Sequence, residues 1–323
     1  MNYFLTGATG FIGGHLARLL LNEGHGVVAL VRSPEKAQDL KALGATLAMG
    51  DITEKETMRG PMAGVDGVFH LAAWYKVGAR DASRAERINV GGTRNVLELM
   101  RELEIPKGVY TSTLAVFSDT GGRRVDETYR YDGPHLSTYD RTKWQAHYEV
   151  ALPMIEDGLP LVIVQPGAVY GPGDPSAIGD AFRSFLKGQM PMVPKETAFC
   201  WAHVEDVARG HLLAMEKGTP GEAYIIAGPC HTLEAVIEKA AAITGRKAPS
   251  FRVGAPVMRG LARMMDAVGA VVPLPAAYTG ESLRVTAGVT YLGDNAKAKR
   301  ALGYRPRSLD DGLPETLQAL QAE

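Results

Sequence analysis

Tyr139 and Lys143 place a phenol and an ammonium four residues apart. On a helix that spacing sets both on one face, one turn apart. A free tyrosine titrates near ~10, too high for ready proton exchange at neutral pH. A neighbouring cation favours the phenolate and lowers that value. Such a pair suits handing a proton to a substrate oxygen, or removing one. A second group of residues suits anion binding. In Thr6-Gly7-Ala8-Thr9-Gly10-Phe11-Ile12-Gly13 the glycines fall at 7, 10 and 13. Gly7 permits a tight turn, Gly10 lets backbone approach a pyrophosphate, and Gly13 lets a helix pack closely on a strand. The N-terminus of the following helix adds N–H donors and the positive end of its dipole.

These residues need a scaffold, and the pattern around them supplies one. Tyr3–Thr6 reads as a buried strand and Phe11–Asn22 as an amphipathic helix, so the glycine turn has a strand before it and a helix after it. Further strands are expected at Val27–Val31, Thr46–Met49, Val68–Leu71, Gly108–Thr111 and Leu161–Gln165. Helices are expected at Pro34–Leu43, Ala82–Leu103 and Ser137–Asp157, the last kinked or shortened by Pro153. Apolar strands alternating with helices predict a doubly wound parallel sheet covered on both faces, an α/β Rossmann-type fold. Residues 1–165 form the expected dinucleotide-binding domain, with segments of about 200–228 returning to it. Residues 166–323 form mainly a smaller C-terminal α/β substrate lobe. In that lobe Gly167–Pro175 reads as a loop. Helices fall near Ile178–Gly188, Val204–Lys217 and Thr232–Thr244, and Tyr224–Ala227 reads as a strand. Arg259–Val268 is an apolar helix whose methionines are either core filling or part of a lid over an apolar substrate.

Composition narrows the function. A net charge of −1 over 323 residues leaves no basic footprint for nucleic acid. The two cysteines, Cys200 and Cys230, form neither a CxxC pair nor a metal-ligand spacing, which suggests a reducing cytoplasm. No basic, cleavable leader is expected at the start of the chain. No apolar run is long enough to span a bilayer, the stretch 267–273 included. There is no GxSxG elbow, no phosphate loop of the GxxxxGK type and no HxxxH or HExxH pair, so no metal is expected.

The GxxGxxG spacing resembles that of the extended short-chain dehydrogenase/reductase family. The resemblance runs through Gly50-Asp51-Ile52, His70-Leu71-Ala72-Ala73, Asn89-Val90-Gly91-Gly92-Thr93 and Tyr139-xxx-Lys143. It continues in Gln165-Pro166-Gly167, His203-Val204-Glu205-Asp206-Val207 and Leu302-Gly303-Tyr304-Arg305-Pro306. It implies a nicotinamide cofactor held by Gly7, Thr9, Gly10, Phe11, Ile12 and Gly13, by Asp51 and Ile52, and by Leu71, Ala72 and Ala73. Thr111, Tyr139, Lys143, Pro166, Gly167 and Val169 complete that set. It also implies a hydroxyl at the end of the fifth strand, Thr113 or its neighbour Ser112, bonding the reacting oxygen, and a bracing role for Asn89. Lys143 would bond the ribose. Asp51 would contact adenine, or else cap the segment from Thr53 onward.

The second strand ends Val31-Arg32-Ser33, with no acid to bond the adenosine ribose. Arg32, aided by Ser33 and Lys36, is suited to a 2′-phosphate, which favours NADP(H) over NAD(H). Within the family, the VRSP stretch and the Pro-Gly after the sixth strand resemble dihydroflavonol 4-reductase-like enzymes. They imply reduction of the carbonyl of a small hydrophobic substrate, for which the apolar 255–280 segment is suited. The alternatives are a sugar or nucleotide-sugar epimerase and a non-catalytic NADPH sensor. A homodimer would pack the helices near 82–103 and 137–157 together.

Overall fold

The computed structural model describes residues 1–75, 81–269, 271–272 and 279–323. Residues 270 and 273–278 of the apolar 255–280 segment lie outside that description.

Seven parallel strands form the main sheet: β1 (Asn2–Thr6), β2 (Gly26–Val31), β3 (Thr46–Met49), β4 (Gly67–His70), β5 (Gly108–Thr111), β6 (Leu161–Pro166) and β10 (Ala223–Ile226). Their spatial order is β10-β6-β5-β4-β1-β2-β3. The chain winds outward from β1 in one direction, then crosses and winds outward in the other. That reversal opens a crevice at the carboxyl ends of β1 and β4, where open α/β sheets bind ligands.

Both faces are covered, as the continuous apolar strands require. Tyr3, Leu5, Val162 and Val164 point to one side. There they meet α1 (Phe11–Asn22), α9 (Val204–Lys217) and α13 (Ala296–Leu302). Phe4, Leu161 and Ile163 point to the other side, against α3 (Glu56–Met62) and α5 (Thr93–Glu102). The expected helix over 82–103 is continuous from α4 (Ala82–Ala85) through a π-helical stretch (Glu86–Gly92) into α5. Near Pro153, expected to kink or shorten the helix, the structure shows a change of helix type. After α6 (Thr138–Gln145) the helix widens into a second π-helical stretch (Ala146–Ala151). It then resumes as α7 (Leu152–Glu156), with Pro153 in its first turn, where a missing N–H is tolerated. The Pro34–Leu43 helix begins as a 3₁₀ turn (Pro34–Ala37) before α2 (Gln38–Ala42).

A smaller sheet centres on β9 (Ala198–His203). It is flanked by β7 (Ala168–Tyr170), β11 (Cys230–Thr232) and β13 (Thr290–Tyr291). A separate pair joins β8 (Met192–Pro194) to β12 (Phe251–Val253). The expected loop after Pro166 therefore contains a strand. Its three residues pair with Trp201–His203, a partner too distant in sequence to read locally. The cysteine expectation also needs correction. Antiparallel register sets Cys230 opposite Cys200, and a disulfide joins them across a sequence separation of 30. Around this sheet pack α8 (Ala177–Leu186), α10 (Leu233–Thr244) and α14 (Leu309–Ala322), through Phe182, Ile237, Leu313 and Leu317. The Met-bearing segment is α11 (Ala255–Gly269), followed by the short α12 (Gly280–Arg284).

Candidate active site

At the β1–α1 turn Gly7 adopts a φ of +78°, the left-handed region that favours glycine. A Cβ there would come within 2.8 Å of the Ala72 amide nitrogen. A Cβ on Gly13 would fall 2.0 Å from the Gly7 carbonyl oxygen. The turn thus has room for glycine at both positions. Gly10 stands at the helix N-cap with no side-chain cap, which leaves N–H donors of the first turn of α1 open to an anion. The Thr6 hydroxyl accepts from the amides of Leu71 and Ala72 at 3.2 and 3.1 Å, and meets His70 Nδ1 at 2.8 Å. It ties the end of β1 to the end of β4, so the glycine turn and Leu71–Ala73 share one rim. These residues fit the pyrophosphate and adjoining parts of a dinucleotide.

At the end of β2, Arg32 is two-thirds exposed and its guanidinium lies 3.8 Å from Asp51. The Asp51 carboxylate also accepts from the Thr53 amide and hydroxyl, both at 2.9 Å. It therefore caps the turn that follows and faces Arg32 at the same time. Ile52 is buried and lies against Gly92. Lys36 is exposed on the 3₁₀ turn, and Thr9 is exposed on the glycine turn.

The catalytic candidates converge at the ends of β5 and α6. Ser137 caps α6, its hydroxyl accepting from the Asp140 amide at 3.0 Å. That cap starts the helix so that Tyr139 and Lys143 follow on one face. Lys143 is buried and donates to Tyr110 Oη at 3.0 Å and to the Thr111 carbonyl at 2.8 Å. Burial lowers its pKa to about 7. The expected lowering of Tyr139 is reversed here. Burial raises its pKa, Tyr75 adds to the rise, and only the hydrogen bond with the Thr113 side chain opposes it. The phenol form thus dominates at neutral pH. Tyr75 meets the Tyr139 ring edge-on at 4.8 Å.

The two hydroxyls at the end of β5 have different partners. Ser112 is buried and bonded to His147 Nδ1 at 2.8 Å. Thr113 is partly exposed and is the partner of Tyr139. Thr111 meets His211 Nε2 at 2.8 Å. Asn89, in the first π-helical stretch, accepts from the Trp74 amide at 2.6 Å. It donates to Thr142 Oγ1 at 2.9 Å, which braces α6 against the segment after β4. Beyond β6, a Cβ on Gly167 would strike the Cys200 carbonyl at 2.1 Å, and Val169 pairs with Ala202.

Three groups here carried no sequence signal. Asp140 is buried beside Tyr139 and accepts from Tyr291 Oη at 3.1 Å; burial raises its pKa to about 7. Glu281 accepts from the Thr138 amide at the start of α6. Tyr291 and Glu281 lie some 150 and 140 residues from these partners, a distance that local pattern does not bridge.

Comparison with known proteins identifies the family. Residues 3–227 match the model of the NAD dependent epimerase/dehydratase family. A Synechocystis sp. protein named for dihydroflavonol 4-reductase is 33% identical, covering 99% of this chain and 94% of its own. A 4-hydroxy-2-methyl-3-oxo-4-farnesyl-3,4-dihydroquinoline-1-oxide ketoreductase of Stigmatella aurantiaca is also 33% identical, covering 99% and 96%. The crystal structure of gox2253 superposes with a TM-score of 0.86 at 30% identity, covering 99% of this chain and 98% of that one. This chain belongs to the NAD dependent epimerase/dehydratase family, within the extended short-chain dehydrogenases/reductases, whose members work with a nicotinamide dinucleotide.

Proposed function

We propose that the protein is an NADP(H)-dependent reductase that converts the carbonyl of a small hydrophobic substrate to an alcohol. The observation that carries this reading is the junction of Thr113, Tyr139 and Lys143 at the end of β5, with Tyr139 held as a neutral phenol. A neutral phenol is the form that donates a proton to a developing alkoxide. The ketoreductase of Stigmatella aurantiaca supports the reaction class. Arg32, exposed at the end of β2 with no acid at Val31, supports NADP(H).

In this reading Gly7, Gly10 and Gly13 hold the pyrophosphate, Arg32 the 2′-phosphate, and Asp51 and Ile52 the adenine side. Thr111 and Lys143 hold the ribose near the reacting end, with Pro166, Gly167 and Val169 beyond it. The bound dinucleotide supplies the hydride. Thr113 orients the carbonyl oxygen, and Tyr139 delivers its proton to that oxygen as charge develops there. Residues 1–165 form the dinucleotide domain, and most of 166–323 shapes the substrate side.

The test is loss of NADPH absorbance against a panel of aromatic and aliphatic ketones and aldehydes. NADPH-preferring turnover is expected. Tyr139→Phe should lose roughly 10²- to 10⁴-fold in kcat, the worth of a positioned acid, while still binding NADPH. Near-normal activity in that variant would remove Tyr139 from the mechanism. Absence of turnover with either cofactor, together with NAD released only on denaturation, would instead indicate an epimerase.

A further inference from the structure

Among the described residues Lys143 forms no ion pair, and burial opposes its charge. Its surroundings are hydroxyls, a backbone carbonyl and an imidazole. Nζ donates to the Thr111 carbonyl at 2.8 Å and to Tyr110 Oη at 3.0 Å. Tyr110 has the Thr93 side chain as its own partner, and its ring stacks on His70 at 5.6 Å. Thr93 Oγ1 lies 3.0 Å from His70 Nε2, and His70 Nδ1 lies 2.8 Å from Thr6 Oγ1, where the glycine turn begins. Thr6, His70, Thr93, Tyr110 and Lys143 are all buried. One continuous chain thus runs from the end of β1, through β4, α5 and β5, to α6.

Counting hydrogens gives this chain one direction. Thr6 Oγ1 accepts from the Leu71 and Ala72 amides, so its own hydrogen goes to His70 Nδ1. That nitrogen is then bare, and the ring hydrogen sits on Nε2, which donates to Thr93. The Thr93 hydroxyl donates to the Asn89 carbonyl at 2.6 Å, so Oγ1 can only accept from Tyr110. The Tyr110 hydrogen is therefore committed to Thr93, and its oxygen is left to accept from Lys143. A neutral amine would offer a lone pair for which the chain has no hydrogen.

We infer that Tyr110, Thr93 and His70 are positioning residues that hold Lys143 as an ammonium, anchored through Thr6 to the turn between β1 and α1. A buried polar network with every member satisfied specifies one arrangement. It also offsets part of what burial costs the charge, because a hydrogen bond from a charged donor is stronger than one from a neutral donor. The other titratable groups nearby do not compete for the proton. Burial pushes His70 and His147 down to about 3, and it raises Tyr139. Asp140, on the same helix, is turned to Tyr291. The consequence for catalysis rests on the reductase reading, whereas the placement of the Lys143 proton does not.

The test is an NMR titration of Lys143 Nζ in the full chain carrying isotope-labelled lysine, the resonance being assigned by its loss in Lys143→Met. Tyr110→Phe keeps the ring, whose centroid lies 4.6 Å from Nζ, and removes only the oxygen. The Lys143 midpoint should then fall by about one pH unit, the difference between a charged and a neutral hydrogen bond. Thr93→Val should lower it by less, because the freed Tyr110 hydrogen can then meet the amine. Tyr148→Phe, which removes a phenol bonded to the Tyr129 carbonyl outside the chain, should leave it in place. A midpoint unmoved or raised in Tyr110→Phe, or lowered equally in Tyr148→Phe, would overturn the inference. The alkaline limb of kcat for NADPH-dependent reduction should move with the midpoint. A lowered midpoint in a protein that turns over no carbonyl would uphold the inference and remove the reductase reading.

Discussion

At the residue scale, one environment perturbs two neighbours in opposite senses. Burial disfavours whichever form is charged, so it raises the Tyr139 phenol and lowers the Lys143 ammonium. The pattern Tyr-xxx-Lys identified both residues, because helix geometry guarantees a shared face. It did not reveal that Lys143 turns toward Tyr110 and Thr111. That depends on how β5 meets α6, which no four-residue pattern encodes. The same holds for Ser112 and Thr113: both lie just beyond β5, and only the position of His147 shows which one faces inward. Arg32 was legible because the end of β2 is a local feature. Its substitution tests cofactor choice. Arg32→Ala should weaken NADPH about tenfold, toward the low end for a charged hydrogen bond because the side chain is exposed, and leave NADH affinity unchanged. Equal losses for both cofactors in a fluorescence titration would deny it the 2′-phosphate.

At the element scale, most of the main sheet could be read directly. Its strands are short, apolar throughout and bounded by turns. Strand β3 and helices α1 and α9 coincide with expectation at both ends. The second sheet was not legible. Its strands have two to six residues, and their partners are 30 to 92 residues away. Strand β7 has three residues and pairs with β9, so sequence pattern alone marks it as loop. The β1–α1 turn gives the sharpest test at this scale. Gly13→Ala places a methyl 2.0 Å from the Gly7 carbonyl, where backbone would have to move. The helix must then separate from the strand that positions the anion site. Dinucleotide binding should fall at least tenfold, roughly 1.4 kcal/mol or more, with a lowered melting temperature. Unchanged affinity by calorimetry would show that the close approach of α1 is dispensable.

At the scale of the whole molecule, buried ionisable groups set the response to pH. His70, His147 and His211 are pushed by burial to about 3, 3 and 4, from 6.5. Between those values and 6.5 the unfolded chain binds protons that the fold refuses. Stability therefore falls as pH drops through that window. Asp140, raised from 3.8 to about 7, acts in the opposite sense over the same range, but it is one group against three. From pH 7 toward 10, Lys143 contributes rising stability, because its folded value of about 7 lies below its ordinary 10.5. The melting temperature should be lower at pH 5 than at pH 8, and Lys143→Met should flatten the upper part of that rise. A melt that is flat, or higher at pH 5, would refute this account of the buried groups.

The contacts of α6 also bear on the order in which the protein completes itself during synthesis. Its first amide is satisfied by Glu281, and Asp140 by Tyr291. The main sheet gains its last edge strand only with residues 223–226. A ribosome-bound chain with its first 166 residues exposed has the glycine turn and six strands of the sheet. The helix that bears Tyr139 still lacks the carboxylate and the phenol that steady it. The helix that bears Tyr139 is thus complete in its contacts only some 140 to 150 codons after it is made.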